Sequence, residues 1–175
     1  MVSEIILDIE LGARAKQVNF RSHLEILKSA PEDTRAAKRP LQIPATLNGQ
    51  RTFVEPDALF AVGKQVYALE VDRGTESVRS VIAQKIIVYR EIVAARVIDE
   101  WLGIDKLTVL FAVPNETRMK NMMRELEQIA HNGKSAMFGF LVVQDLLTRP
   151  VGIISGHKFA AQPWFRQGFD EISLL

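Results

Sequence analysis

The chain of 175 residues contains no cysteine. That excludes a disulfide frame, a thiolate nucleophile and any zinc or iron–sulfur site built on sulfur, and it fits a reducing, cytoplasmic setting. No run approaches the ~18 consecutive apolar residues of a membrane span. The opening "MVSEIILDIELGARAK" carries acids inside its apolar stretch and lacks a basic leader, so it does not read as a signal peptide. An excess of charge of one sign is also lacking, with 22 basic against 21 acidic side chains. A nucleic-acid partner would therefore have to be met by local clusters of Lys and Arg. There is no Walker A loop and no G-x-G-x-x-G, and "GIISG" is not the G-x-S-x-G nucleophile elbow. His23, His131 and His157 have no metal-binding spacing. Trp164 and Phe165 are candidates for stacking a base, with burial in a core or interface as the alternative.

What is present is an ordinary core-forming composition, 47% hydrophobic and 25% charged, enough to fill a single domain over residues 1–175. Residues 3–28 carry a broken apolar stripe (Ile5, Ile9, Leu11, Leu24, Leu27) and read as a helix closed by Pro31. Residues 29–40 read as a loop with Arg35, Lys38 and Arg39 clustered in it. "LQIPATL" reads as a first, edge strand, because Pro44 cannot donate a ladder hydrogen bond. Residues 51–62 and 65–73 make two strands around "VGK". A long helix is expected over 77–102, with Gly103 just past its end. A strand over 106–113 follows, then a helix from Pro114-Asn115 with Met119, Met122, Met123, Leu126 and Ile129 on its core face, ended by His131-Asn132-Gly133. A strand over 136–146 completes the order, and residues 151–175 read as a short strand and an irregular covering segment. The resulting α-β-β-β-α-β-α-β succession predicts a mixed α/β sheet flanked by helices.

Three acids interrupt the strand-like stretch "VEPDALFAVGKQVYALEVDRGTES". Alternation puts Tyr67, Leu69 and Val71 on one face of the third strand and Ala68, Glu70 and Asp72 on the other. A turn near Gly63 pairs positions whose numbers sum to about 126–128, which sets Asp57 opposite residues near 69–71. Carboxylates so close must hold a proton, pair with a base or bind a cation; alternatively they form a wet face of the hairpin. Lys85 lies in the next helix with Val78, Val81, Ile82, Val88, Tyr89 and Ile92 as its helical neighbours. An ammonium in an apolar stripe either snorkels to water or reaches a carboxylate. Asp8, surrounded by Ile5, Leu11, Gly12 and Ala15, and Glu4 one turn earlier are further acids that could complete a metal shell, the alternative being acids favoured near a helix N-terminus. Thr75 or Ser77 is placed to cap the long helix.

"PD" at Pro56-Asp57, followed by a hairpin and "EVD" at Glu70-Val71-Asp72, resembles the PD-(D/E)xK nuclease superfamily. More narrowly, "PDALF…YALEVDRGTES…KIIVY" resembles the replication-relaxation family, proteins associated with plasmids and mobile elements, some with a winged-helix domain ahead of this one. The resemblance implies a single nuclease-like domain with a restriction-endonuclease-like mixed β-sheet flanked by helices and an α-β-β-β-α-β core. It implies a metal-dependent DNA phosphodiester hydrolase or nickase acting in plasmid or mobile-element replication or mobilisation. Asp57 and Glu70 would hold Mg²⁺ or Mn²⁺, with Asp72 assisting and Asp8 or Glu4 matching the acid that the first helix often supplies. The nuclease pattern has Lys two residues after the Glu, and here that position is Asp72. "KIIVY" matches the spacing of the Gln-x-x-x-Tyr motif of the RecB-like branch, so Lys85 would replace the missing lysine as the catalytic cation and Tyr89 would contact substrate. DNA is the implied partner, gripped by Arg73, Arg79 and the Arg35–Arg39 segment, with a winged-helix domain or partner adding contacts. A catalytically inactive module of the same fold, binding DNA or protein, is the alternative. A metal-free interaction domain assembling through an edge strand or the tail "ISLL" is a third.

Overall fold

The computed structural model describes residues 1–143 and 159–175. The apolar stripe of the first segment holds only as far as helix α1 (Val2–Ala15). The chain then extends through a short strand, β1 (Phe20–Ser22), and re-enters a helix, α2 (His23–Lys28), rather than running as one helix over 3–28. A capping box explains the restart: Glu25 reaches back to the Ser22 backbone N–H at 2.9 Å, and hydrogen bonds from that N–H and the Ser22 hydroxyl depress its pKa. The basic loop contains a short helix, α3 (Glu32–Ala36). Thr34 Oγ1 donates to the Trp101 carbonyl at 2.5 Å and Trp101 Nε1 to the Pro40 carbonyl at 2.9 Å, which anchors both ends of the loop.

Strand β2 (Ile43–Leu47) pairs antiparallel with β3 (Gln50–Val54), from Ile43 opposite Val54 to Leu47 opposite Gln50. These two form a separate hairpin, so "LQIPATL" is not an edge of the main sheet. Glu55-Pro56-Asp57 then breaks the predicted strand over 51–62, because Pro56 offers no N–H to a ladder, and β4 (Ala58–Val62) begins beyond it. The turn at Gly63 has φ +59, a conformation glycine adopts without strain, and leads into β5 (Gln65–Val71).

A π-helical turn (Val78–Ile82), capped by Ser77, opens the next helical stretch. That stretch is not one helix. Helix α4 (Ala83–Ala94) stops before Arg96, whose φ of +58 breaks the path, and α5 (Val97–Leu102) ends at Gly103. Strand β6 (Leu107–Val113), helix α6 (Glu116–Ile129) and strand β7 (Ser135–Val142) follow as expected, with Met119 and Met122 buried. The end of the predicted strand over 136–146, "GIISG" and His157 lie outside the described residues. Within the segment expected to be irregular, β8 (Trp164–Gln167) and β9 (Phe169–Ile172) form a hairpin on the sheet.

The main sheet among the described residues runs β1-β4-β5-β6-β7-β8-β9. β1 pairs antiparallel with β4, β4 antiparallel with β5, and β5 parallel with β6, which is in turn parallel with β7. One face, carrying Ala68, Val109, Phe111 and Phe140, packs on α4 and α6 through Ile86, Tyr89, Met122 and Leu126. The other, carrying Phe60, Tyr67 and Leu69, packs on α1 through Ile5 and Ile9, and on Trp164 and Leu174 of the C-terminal segment. The "ISLL" tail is thus partly core, with Leu174 buried. The fold is a mixed α/β sheet flanked by helices.

Candidate functional site

The β4–β5 register carries the site. Ala58 pairs with Leu69, which continues Asp57 to the level of Glu70. Asp57 Oδ2 accepts the Val71 N–H at 2.7 Å and so bridges the start of β4 to the end of β5. Glu70 faces the α4 side of the sheet, only 3% exposed. Its two oxygens are held by two residues of α4: Lys85 Nζ donates to Oε2 at 2.8 Å and Tyr89 Oη to Oε1 at 2.5 Å. The spacing of four puts both donors on one helix face, one turn apart. Lys85 therefore turns inward instead of snorkelling out.

The electrostatics follow from this burial. Desolvation raises the Glu70 pKa above the ordinary carboxylate value, against the pull of Lys85 and Tyr89, and the nearby Asp57 charge raises it further. Burial disfavours the Lys85 ammonium, but Glu70, Glu76 and Asp57 outweigh it and hold its pKa above the ordinary lysine value. The two directions pull against each other across one contact. The geometry favours the ion pair: both Glu70 oxygens accept, one from Lys85 and one from Tyr89, and a protonated Glu70 would turn an O–H donor toward one of these donors. Tyr89 is raised well above its ordinary value by burial and then by Glu70, so its hydroxyl stays a donor.

Asp57, Glu70 and Lys85 open onto a cleft of about 150 Å³, with Val71, Asp72, Arg73, Thr75, Glu76, Ile82 and Phe111 as its other walls. Arg73 is exposed and lines the same cleft. Tyr89, expected to touch substrate, is fully buried and lies behind Glu70, supporting it.

Asp72 has a different employment. Arg118 grips it with Nε at 2.6 Å from Oδ2 and Nη2 at 2.9 Å from Oδ1, and Gly74 N–H donates to Oδ1 at 3.0 Å. Arg118 Nη2 also donates to the Glu76 carbonyl at 2.6 Å, tying down the segment that walls the cleft. Sequence reasoning missed Arg118. A signal was there: Asn115 caps α6 by accepting the Arg118 N–H at 2.8 Å, and α6 starts at the C-terminal end of the strand parallel to β5. Asp8 is buried on the opposite face of the sheet, among the α1 contacts, and accepts the Phe159 N–H at 2.7 Å. It does not line the cleft.

Of the carboxylates expected around a metal, Asp8 is therefore apart from Asp57, Glu70 and Asp72. Among the described residues no three His, Asp or Glu side chains group as a metal cage. Asp57, Glu70 and Asp72 line one cleft, with Asp72 gripped by Arg118. Two carboxylates suffice for Mg²⁺ when other oxygen ligands complete its shell, so Asp57 and Glu70 are the residues that would hold a divalent ion.

A family model described as replication-relaxation matches residues 1–104, more than half of the 175 residues. The chain belongs to the replication-relaxation family. Membership connects it to replication or relaxation of plasmids and mobile elements, and so to DNA. The matched residues include Asp57, Glu70, Asp72, Lys85 and Tyr89 and stop short of Arg118. No curated protein and no solved structure matches the chain. No helix among the described residues is long and apolar enough to cross a membrane.

Proposed function

We propose that this replication-relaxation protein is a metal-dependent DNA phosphodiester hydrolase or nickase of the PD-(D/E)xK type, acting in plasmid or mobile-element replication or mobilisation. The observation that carries this reading is the Lys85 ammonium, drawn from α4 to within 2.8 Å of Glu70 in the cleft that Asp57 also lines. The order α1-β1-β4-β5-α4-β6, with two antiparallel pairings and then a parallel one, supports the restriction-endonuclease-like core.

Asp57 and Glu70 would hold Mg²⁺ or Mn²⁺, which when bound supplies Lewis-acid polarisation of the phosphate and a more acidic water. Asp57 is fixed by the Val71 N–H and Glu70 by Tyr89, so both carboxylates are oriented before substrate arrives. An ammonium has three N–H donors; one of those on Lys85 serves Glu70, and the others serve phosphate oxygens or the attacking water. Its raised pKa suits a fixed positive charge against the developing oxyanion better than a general base. In the reaction, water oxygen bonds to phosphorus and gives up a proton to solvent, one P–O ester bond breaks, and the departing oxygen takes up a proton from solvent. Arg73 at the rim and the Arg35–Arg39 segment would grip the DNA backbone in a salt-sensitive way. A winged-helix domain or partner would add contacts to this grip.

The test is nicking of supercoiled plasmid with Mn²⁺ by the wild type, Asp57→Ala and Lys85→Ala. Nicking lost in both variants supports the site; nicking retained in both removes it. A wild type that shifts DNA on a gel but never nicks it is the inactive binding module instead.

A further inference from the structure

The outer side of the β2–β3 hairpin bears a row of residues that the cleft does not use. Burial alternates along β3, so Arg51 and Phe53 face solvent while Val54 packs inward. Phe53 is 55% exposed, unusual for a ring in a strand that has a core available behind it. Two residues beyond Phe53, Glu55 accepts from Arg39, which brings a guanidinium to this end of the hairpin. The row therefore reads cation, aromatic ring, neutralised acid with its cation. Arg39 is held there by the anchoring of its loop on α5 through Thr34 and Trp101.

The charge is local. Residues 34–54 contain Arg35, Lys38, Arg39 and Arg51 and not one Asp or Glu, in a chain whose basic and acidic totals nearly cancel. Glu91 and Glu100 of α4 and α5 line a groove that Arg51 and Thr52 of the hairpin also border, so an anionic ligand meets two acids there. The row also has a direction. β3 continues through Glu55 and Pro56 into Asp57, so its far end is the carboxylate pair. Trp164, a base-stacking candidate from sequence, is fully buried and cannot serve.

We infer that this outer face is a docking platform for single-stranded nucleic acid, with a base stacked on Phe53 and the flanking phosphates met by Arg39 and Arg51. Stacking on an exposed ring needs an unpaired base, because a duplex presents its bases edge-on, and that selects single strand over duplex. The platform deepens the DNA reading above and rests on it, yet it does not require cleavage.

Fluorescence anisotropy with a labelled single-stranded oligonucleotide in EDTA tests it apart from the metal site. Phe53→Ala should weaken binding by about 10-fold or more, Phe53→Tyr should restore it, and duplex of the same length should bind with little dependence on residue 53. Arg51→Ala should lower the salt slope by about 0.7, as loss of one phosphate contact to a single strand does. Unchanged single-strand affinity in Phe53→Ala overturns the platform and leaves a protein partner as the occupant of the face. Plasmid nicking that fails with the platform intact overturns the catalytic reading alone.

Discussion

Arg118 of α6 closes a bidentate ion pair on Asp72, just past the end of β5, with 14% of the arginine side chain and 2% of the aspartate side chain exposed. It fills with a carboxylate–guanidinium pair the position where the nuclease pattern carries lysine. The cation of that pair is tied to the cleft wall at Glu76, and the cation facing Glu70 comes from α4 instead.

Breaking this pair from one side leaves an uncompensated buried charge. Arg118→Ala or Asp72→Ala should therefore cost about 3 kcal/mol or more. The double variant Asp72→Asn/Arg118→Met keeps the oxygen that accepts the Gly74 N–H and removes both charges. It should recover most of that loss, to within about 1 kcal/mol of wild type. Urea unfolding of the three variants measures this. Single variants that cost no more than an exposed surface pair would show that Arg118 does not hold Asp72.

Alkaline pH probes the Glu70 support. Tyr89 and Lys85 both have folded-state pKa values raised above their ordinary 10.0 and 10.5. A raised value contributes stability that is complete below the ordinary pKa and disappears as pH climbs through the folded one. Tyr89→Phe removes one such group and one hydrogen bond to a buried carboxylate, worth about 2 kcal/mol at neutral pH. The stability gap between wild type and Tyr89→Phe should hold constant to about pH 9 and narrow above it. Urea midpoints taken at intervals up to about pH 11.5 follow the gap, and a gap that widens with alkali contradicts the assignment.

The meeting of Asp57 with Glu70 was legible because it depends on local rules. A glycine turn sets the register, and the observed pairing of Ala58 with Leu69 falls inside the expected sum. Lys85 was legible in part: an ammonium among Val78, Ile82, Val88 and Ile92 either snorkels to water or reaches an acid, and the contact with Glu70 decides between the two. Other features depend on contacts that no local pattern encodes. Arg118 reaches Asp72 over 46 positions of sequence. Asp8 could be recognised as a buried acid, but its partner is a backbone N–H 151 positions away, on the face of the sheet opposite Glu70. The three residues of β1 are too few to show alternation, and only their pairing with β4 makes them a strand. The C-terminal hairpin was read as irregular because its strands are four residues each and carry exposed Phe165 and Phe169.

Gly139 decides whether that hairpin can seat. A Cβ at this position of β7 would lie 3.0 Å from Leu110 Cδ2, 3.3 Å from Ile172 Cδ1 and 3.3 Å from Trp164 Cβ. All three atoms belong to side chains packed on the α1 face, and Trp164, the largest, is fully buried. Alanine would require each neighbour to yield by a few tenths of an ångström. Valine has no room unless β8 and β9 lift from β7, because close-packed interiors absorb extra methyl groups only by strain or displacement. Gly139→Val should thus lose about 2 kcal/mol and shift the Trp164 emission to the red, measured in a Trp101→Phe background so that a single indole reports. Gly139→Ala should fall between. Unshifted emission with unchanged stability in Gly139→Val would mean that the hairpin does not rest on this glycine, and the packing of Trp164 between α1 and the sheet would need another support.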